Sequence, residues 1–170
     1  MKNPYTNLAR KTIEEYLSSG KTINLPDNCP SGLKDRQAGC FVSYHQGDEL
    51  RGCIGTYRPT CDCLGQEIIA CAIAACRDPR FSPLRLDELA KIKVKVDVLS
   101  PPEKTKVKDL DPKIYGLIVK SKDGRRGLLL PDLEGVESAK QQIEICREKA
   151  GIPPDESIEL YRFRVERHEE

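Results

Sequence analysis

The sequence has few aromatic residues and no strong excess of charge. Aromatic residues make up 5% of the 170 residues, and tryptophan is absent. Surfaces that bind single-stranded nucleic acid need aromatic rings on which bases stack, and this chain offers few of them. The formal net charge is +1 at pH 7, so there is no overall electrostatic attraction to nucleic acid or to an anionic membrane. Both features disfavour nucleic-acid binding.

Long hydrophobic runs are missing as well. No apolar run reaches the roughly 20 residues that a transmembrane helix needs, and the first residues lack the apolar core of a signal peptide. These absences predict a cytoplasmic protein that makes no use of a membrane. The eight cysteines are then expected to be reduced thiols, because disulfide scaffolds are short, loop-rich, secreted chains.

The cysteines and histidines do not have the spacing of a metal site. Zinc sites use paired ligands, and the chain offers one close pair, Cys61 and Cys63, with Cys29 and Cys40 distant in sequence. A glycine-rich phosphate loop and a dinucleotide fingerprint are also missing. The sequence therefore identifies no metal ligand and no cofactor, and it leaves any metal or redox role of Cys29, Cys61 and Cys63 undecided.

Hydrophobic spacing predicts three main helices and about six strands. The predicted helices are residues 5–17, a helix capped by Thr60 or Asp62 that runs to about residue 77, and residues 136–150. The predicted strands are residues 38–45, 50–56, 91–99, 114–120, 127–130 and 157–166. Short polar connections that contain glycine join the first two strands, and the fourth and fifth, into hairpins. The order of elements predicts an α+β fold with a largely antiparallel sheet, in a single domain over residues 1–170.

The segment at residues 50–55, with the sequence LRGCIG, has two glycines in a strand; we call it the 50–55 segment. Glycine weakens a strand but lets another group approach its backbone closely. Alternation places Arg51, Cys53 and Gly55 on one face. A guanidinium group stabilises a neighbouring thiolate, the reactive form of cysteine, and binds carboxylate or phosphate through paired hydrogen bonds. The alternative is that Cys53 fills a small space in the core and Arg51 is a solvated edge residue.

Two further features lie close to this segment in the predicted fold. His45 shares an alternation face with Ser43 and can reach Cys53 if the strands pair favourably, so a Cys–His dyad is left open. Asp78 and Arg80 lie in a turn that ends the second predicted helix. They line a polar pocket in one interpretation and form surface ion pairs of little energetic weight in the other.

Taken together, the motifs resemble those of the AMMECR-type domain, called AmmeMemoRadiSam system protein A in prokaryotes. LRGCIG is similar to that family's hallmark. The other similar runs, in order, are LARKTIEEYL at 8–17, GCFV at 39–42, DPRF at 78–81, VLSPPE at 98–103, LLP at 129–131 and CREKAG at 146–151. Two runs depart from the family pattern: residues 112–116 lack the family's Gly-Lys-His-Gly-like run, and Asp132-Leu133 replace its Gln-Val. Roles of that His or Gln in relatives are not carried over.

The resemblance implies a compact α+β domain with a larger and a smaller lobe and a cleft that holds the hallmark. It also implies that the 50–55 segment is the functional site, and that Memo-type and radical-SAM-type proteins are partners. The expected site residues are Cys53 as candidate nucleophile with Arg51, and a set that binds a small anionic ligand, Arg51, Gly52, Gly55, Asp78 and Arg80. The alternative is a non-catalytic module for protein–protein interaction. The sequence does not decide whether the protein is an enzyme.

Overall fold

The computed structural model describes residues 3–170, which divide into two compact units. The larger unit contains residues 3–99 and Glu166–Glu170, and the smaller contains Ser100–Val165. They correspond to the larger and smaller lobes that the resemblance implies. The helices are α1 (Pro4–Ser19), α2 (Ser31–Lys34), α3 (Leu64–Ala75) and α4 (Ala139–Ala150). The strands are β1 (Cys40–Gln46), β2 (Glu49–Gly55), β3 (Ile92–Leu99), β4 (Glu103–Lys104), β5 (Gly116–Ser121), β6 (Arg126–Leu129), β7 (Ile158–Phe163) and β8 (Val165–Glu169).

The larger unit is built on a four-stranded sheet in the order β2-β1-β3-β8. β1 pairs antiparallel with both β2 and β3, which confirms the first predicted hairpin. α1 and α3 cover one face, and the buried core between them includes Ile13, Tyr44, Ile68, Val94 and Val96. The opposite face of the sheet carries the polar side chains of β1 and β3. The predicted α+β fold with antiparallel strand pairing is confirmed.

Local signals explain why α1 begins and ends where it does. The side chain of Asn3 accepts a hydrogen bond from the backbone N–H of Tyr5 at 3.0 Å, and Pro4 occupies the first helical position, where its missing N–H costs nothing. The helix ends at Gly20, whose φ of 74° lies in the left-handed region that favours glycine. α1 is therefore two residues longer at its C-terminal end than the predicted helix.

α3 begins later than predicted. Thr60 and Asp62 were the expected caps, but the residue before the first turn is Cys63, which makes no side-chain capping bond. Thr60 is engaged elsewhere, because its N–H and its hydroxyl both donate to the carboxylate of Glu67. Eight of its twelve residues are buried, including Leu64, Ile68, Ile69, Cys71, Ala72 and Ala75. The prediction of burial on nearly every face was wrong on one side, because Gln66 and Ala70 are exposed and Ile73 and Ala74 are half-buried.

The smaller unit is a second four-stranded sheet, in the order β4-β7-β5-β6, with α4 against β5 and β6. β5 and β6 form the second predicted hairpin. The predicted helix at 136–150 begins at Ala139, because Ser138 caps it by accepting from the N–H of Gln141. The predicted strand at 157–166 is two strands, interrupted at Arg164, whose backbone bonds to Ser100. Among residues 3–170, no helix is long and apolar enough to cross a membrane.

Gly127 in β6 lets α4 approach the sheet of the smaller unit. A methyl group added there would lie 1.8 Å from the carbonyl oxygen of Cys146, so backbone would have to move. We expect Gly127→Ala to lower the free energy of unfolding by about 2 kcal/mol, as overpacked cores do. Urea denaturation followed by circular dichroism measures this, with Lys122→Ala in the exposed hairpin turn as the control. A Gly127→Ala protein as stable as the wild type would contradict the close packing of α4 on β6.

Candidate functional site

The 50–55 segment lies in β2, and its pairing with β1 contains a β-bulge. Ser43 is opposite Cys53 and Tyr44 is opposite Gly52, but the next paired residue on β2 is Leu50. Arg51 is therefore the extra residue of the bulge. Strict alternation, on which the shared face of Arg51 and Cys53 was predicted, holds from Gly52 to Gly55 and is interrupted at Arg51.

Asp78 and Arg80 hold the backbone of Cys53 from the open side of the sheet. The N–H of Cys53 donates to Asp78 Oδ2 at 2.9 Å, and its carbonyl oxygen accepts from Arg80 Nη2 at 3.1 Å. β2 is an edge strand, so these two side chains provide the bonds that a neighbouring strand would make. The structure thus brings together the two sequence features that were predicted to lie near each other.

The direction of these bonds also places the side chain of Ser43. Because both backbone groups of Cys53 point away from β1, Ser43 and Cys53 form a non-hydrogen-bonded pair. In such pairs the Cα atoms are about 4.5 Å apart and the side chains are closest. The hydroxyl of Ser43 and the thiol of Cys53 therefore lie side by side on the polar face of the sheet. The sequence signal for Ser43 was its alternation with His45.

Asp78 is a buried carboxylate whose two oxygens are fully engaged. Its side chain is 1% exposed. Oδ1 accepts from the N–H and from Nε of Arg80, both at 3.1 Å, and Oδ2 accepts from Arg80 Nη2 at 2.7 Å as well as from Cys53. The hydrogen bond from Arg80 is the main cause that lowers the pKa of Asp78 to about 2. Asp78 holds the segment in place, and its role as a direct ligand contact stays a prediction.

Arg80 is the cation that remains open to solvent beside Cys53. Its side chain is 57% exposed, and no residue in the described part of the chain accepts a hydrogen bond from its Nη1. The bond to Asp78 raises the pKa of Arg80, and the charge of the Cys53 sulfur adds to this effect. By contrast Arg77, in the same turn, points away and donates to the hydroxyl of Tyr16 at 3.5 Å.

Most hydrogen-bond donors of Arg51 are bound by residues 82–88, which follow α3. Its Nε and Nη2 donate to the carboxylate of Glu88 at 2.8 and 3.0 Å. Nη1 and Nη2 donate to the carbonyl oxygens of Ser82 and Pro83 at 2.8 and 3.3 Å. Four of the five N–H groups of a guanidinium are thus engaged, and the side chain is 15% exposed. The role of Arg51 as an anion contact stays a prediction.

Glu88, which the sequence did not single out, is the residue that fixes Arg51. The hydrogen bond from Arg51 is the main cause that lowers the pKa of Glu88. Glu88 also accepts from the backbone N–H of Arg85 at 2.8 Å, so it ties the short turn at Leu86–Glu88 to β2. No local pattern could have revealed this pair, because 37 positions separate its members.

The two glycines of the segment are approached by the protein's own backbone. A Cβ atom on Gly52 would lie 2.5 Å from the carbonyl oxygen of Ala75 at the end of α3, and one on Gly55 would lie 2.3 Å from the carbonyl oxygen of Cys40. Glycine is therefore needed at both positions for packing. Their predicted role in binding a ligand through the backbone is not tested by this packing.

His45 extends the polar row that begins at Cys53. Its Nε2 lies 3.0 Å from Ser43 Oγ, and Ser43 is opposite Cys53 in the strand pairing. The Cys–His dyad that the sequence left open stays a prediction. Burial and the positive charge of Lys95 lower the pKa of His45, although Glu169, which pairs with Lys95 at 2.9 Å, acts in the opposite direction. The imidazole is therefore neutral at pH 7 and able to accept a proton.

Glu67, a second residue that the sequence did not single out, anchors the chain that follows β2. This fully buried carboxylate accepts from the hydroxyl of Thr56 and from the N–H groups of Thr60 and Cys61, at 2.7, 2.7 and 2.8 Å. Burial alone would raise the pKa of Glu67, but these hydrogen bonds outweigh it and lower the pKa. The loop at 56–61 is thereby held against the first turns of α3.

The remaining cysteines differ from Cys53 in their surroundings. Cys71, Cys76 and Cys146 are buried, as predicted for core residues, and burial raises the pKa of Cys76 to about 11 and that of Cys146 to about 12. No disulfide is present in residues 3–170. The same range contains no group of three or more His, Cys, Asp or Glu residues placed to hold a metal ion.

The low pKa of Asp78 makes stability depend on pH. A carboxyl group whose pKa falls on folding stabilises the fold above its unfolded pKa, and this stabilisation is lost as the pH falls through the folded value. We expect Asp78→Asn to be less stable than the wild type by about 2 kcal/mol at pH 7, and the difference to fade between about pH 4 and pH 2. Urea denaturation across this range measures it, with Asp48→Asn in the β1–β2 turn as control. A difference that is the same at pH 7 and pH 2 would contradict this account.

The similarities to known proteins cover nearly the whole chain. A sequence model described as AMMECR1 matches residues 6–168. A protein of Thermotoga maritima is 51% identical over 170 residues, covering 98% of this chain and 97% of its own. Protein CA_C1420 of Clostridium acetobutylicum is 44% identical over 99% of this chain, which spans only 36% of that longer protein.

The fold matches a solved structure equally well. The crystal structure of the uncharacterized protein PH0010 from Pyrococcus horikoshii superposes with a TM-score of 0.90 and 35% sequence identity, over 98% of this chain and 89% of that one. Sequence and fold agree over both units. The chain belongs to the AMMECR1 family.

Proposed function

We propose that the protein binds a small anionic ligand at the exposed side of β2, with Arg80 as its charge contact and Cys53 as a thiol contact or nucleophile. The observation that carries this proposal is the state of Arg80. Asp78 and the Cys53 carbonyl hold its Nε and Nη2, while its Nη1 faces solvent. A guanidinium that is already oriented loses little freedom when it binds a carboxylate or phosphate.

The site residues divide into two groups in this proposal. Arg51, Gly52, Gly55 and Asp78 hold the segment in its bulged, edge position. Arg80 and Cys53 contact the ligand, and the one N–H of Arg51 that is not engaged is available if the ligand extends along β2. Positioning by residues that are themselves locked by packing and hydrogen bonds is what a precise site requires.

The row of Cys53, Ser43 and His45 supplies a route for the thiol proton. When Cys53 loses its proton, Ser43 takes it on its hydroxyl oxygen and passes its own hydroxyl proton to the neutral imidazole of His45. The thiolate that results is stabilised by the guanidinium of Arg80. An activated thiol beside an anion-binding cation is the arrangement that nucleophilic catalysis uses, so the site supports an enzymatic role as well as binding.

Cys53 is expected to react before the buried thiols of the folded protein. Iodoacetamide treatment at pH 7, read by mass spectrometry of peptides, should modify Cys53 before Cys71, Cys76 and Cys146. Arg80→Gln removes the stabilising cation, so we expect modification of Cys53 to slow about tenfold. Arg77→Gln removes the same charge from the same turn without touching Cys53 and should leave the rate within twofold of the wild type. An unreactive Cys53 in the wild type would exclude the nucleophile role.

A ligand at this site should stabilise the protein and shield the thiol. In a thermal-shift screen of small carboxylates and phosphates, we expect binding compounds to raise the melting temperature of the wild type and to protect Cys53 from iodoacetamide. Both effects should be absent in Arg80→Gln and retained in Arg77→Gln. A compound that stabilises all three proteins equally binds elsewhere, and a screen in which only cations stabilise the wild type would contradict the proposal.

The proposed protein partners rest on the family resemblance. The resemblance implies that the protein works with Memo-type and radical-SAM-type proteins in the cytoplasm, as an enzyme or as an accessory protein, and over residues 1–170 as one functional domain. The Clostridium relative supports an association with further polypeptide, because most of its length lies outside the matched region.

A non-catalytic interaction module is the alternative function. Addition of a partner strand to β2 would have to displace Asp78 and Arg80 from Cys53, so the geometry favours a ligand site.

A further inference from the structure

A groove of about 770 Å³ lies in the larger unit, and none of the residues that line it belongs to the 50–55 segment. Its walls are one face of α1, the connection around Leu89–Ile92, and the end of β8. This volume is in the range of sites that bind small organic molecules. The proposal that follows concerns a second site and does not depend on the function proposed for Cys53.

The cation in this groove, Arg10, is already engaged by the protein. Its Nε and Nη2 donate to the carboxylate of Glu170, its Nη1 donates to the carbonyl oxygen of Leu89 at 2.7 Å, and Nη2 also donates to that of Ile92 at 2.8 Å. The ion pair with Glu170 raises the pKa of Arg10. Arg10 therefore shapes the groove, and only one of its five N–H groups is left unbonded by residues 3–170.

Two polar side chains on the same face of α1 have unused hydrogen-bonding capacity, although the charge of one of them, Glu14, contributes to the raised pKa of Arg10. Asn7 and Glu14 line the groove with Arg10, and their spacing of three and seven residues places them along one helix face. Neither the amide of Asn7 nor the carboxylate of Glu14 makes a hydrogen bond or ion pair with any residue in the range 3–170. The charge that the groove offers to a ligand is therefore negative.

The opposite wall is apolar. Leu89, Ala90 and Ile92 line it, and Ile92 is 4% exposed. A carboxylate and an amide oxygen on one wall, with alkyl side chains on the other, match a ligand that has a primary ammonium group on a short hydrocarbon chain. Glu14 and Asn7 are about 10 Å apart along the helix, so an ammonium group at each end of a short diamine or polyamine can donate to one of them.

We propose that this groove binds an alkyl amine, such as a short diamine or polyamine. One ammonium group pairs with Glu14, a second donates to Asn7, and the alkyl chain between them lies along Leu89 and Ala90. Four of the five N–H groups of Arg10 already donate to Glu170 and to two carbonyl oxygens, so Arg10 has little capacity to bind a competing anion.

Isothermal titration with 1,5-diaminopentane and spermidine tests this assignment, with glutarate as a dianion of comparable length. We expect the amines to bind the wild type more tightly than glutarate. Glu14→Gln keeps the size of the side chain but removes the charge, and it should weaken amine binding about tenfold. Asn7→Asp adds a second carboxylate to the groove and should tighten it.

The matched control is Glu15→Gln, which removes the same charge one position along the exposed surface of α1. It should bind the amines within twofold of the wild type. Equal weakening in Glu14→Gln and Glu15→Gln would show a general charge attraction and overturn the site. The proposal is also overturned if glutarate binds as tightly as the amines, or if no amine binds the wild type at millimolar concentration.

Discussion

The ion pair of Asp78 and Arg80 is the interaction on which the candidate site depends. A carboxylate that is 1% exposed is stable in a protein only when it is paired and hydrogen-bonded. Here it gains both from Arg80 and from the backbone of Cys53. These two side chains also satisfy the backbone N–H and carbonyl groups of Cys53, which in an edge strand would otherwise have no partner strand. The sheet therefore ends at Cys53 without a further strand beside it.

A single close approach makes that ion pair possible. α3 ends at Ala75, and its carbonyl oxygen lies where a Cβ atom of Gly52 would be. Asp78 follows three residues later and binds Cys53, the neighbour of Gly52. The helix end and the turn thus meet two consecutive residues of β2, so a side chain at position 52 would push away the carboxylate that position 53 needs. The glycine in the hallmark and the aspartate in the turn are parts of one constraint.

Periodicity in the sequence predicted the helices and strands. It did not predict features that depend on contacts between residues distant in the sequence. β3 alternates as predicted, with Ile92, Val94, Val96 and Val98 buried, because one face of the sheet meets the helices. Asp97, on the other face, is nevertheless only 6% exposed, since Arg167 pairs with it at 2.8 Å. Arg167 is 70 residues away, so no local sequence pattern indicates that Asp97 is buried.

The failures at element boundaries have the same origin. The cap expected at Thr60 is absent because α3 begins at Leu64, and Thr60 instead donates through its N–H and its hydroxyl to Glu67. The predicted strand 157–166 is interrupted at Arg164 although its alternation continues, because the hydrogen-bond partner of the chain changes there. The bulge at Arg51 is likewise invisible in a strand whose residue types suit regular pairing. The glycines and the family resemblance singled out the 50–55 segment, but they did not distinguish Arg51 and Asp78, whose donors and acceptors are engaged within the protein, from Arg80, which is open to solvent.

Whether an arginine in this protein can bind an anion depends on how many of its donors the fold already uses. Arg10 and Arg51 each donate four hydrogen bonds, to a carboxylate and to two backbone carbonyl oxygens. Arg80 donates three and keeps Nη1 open. Arg10 and Arg51 therefore hold separate chain segments together. The groove beside Arg10 presents the negative charge of Glu14 to a ligand. At Arg80 an oriented guanidinium whose Nη1 donors are not taken by any of residues 3–170 lies next to the backbone of Cys53, and Cys53 is also less buried than the cysteines of the core.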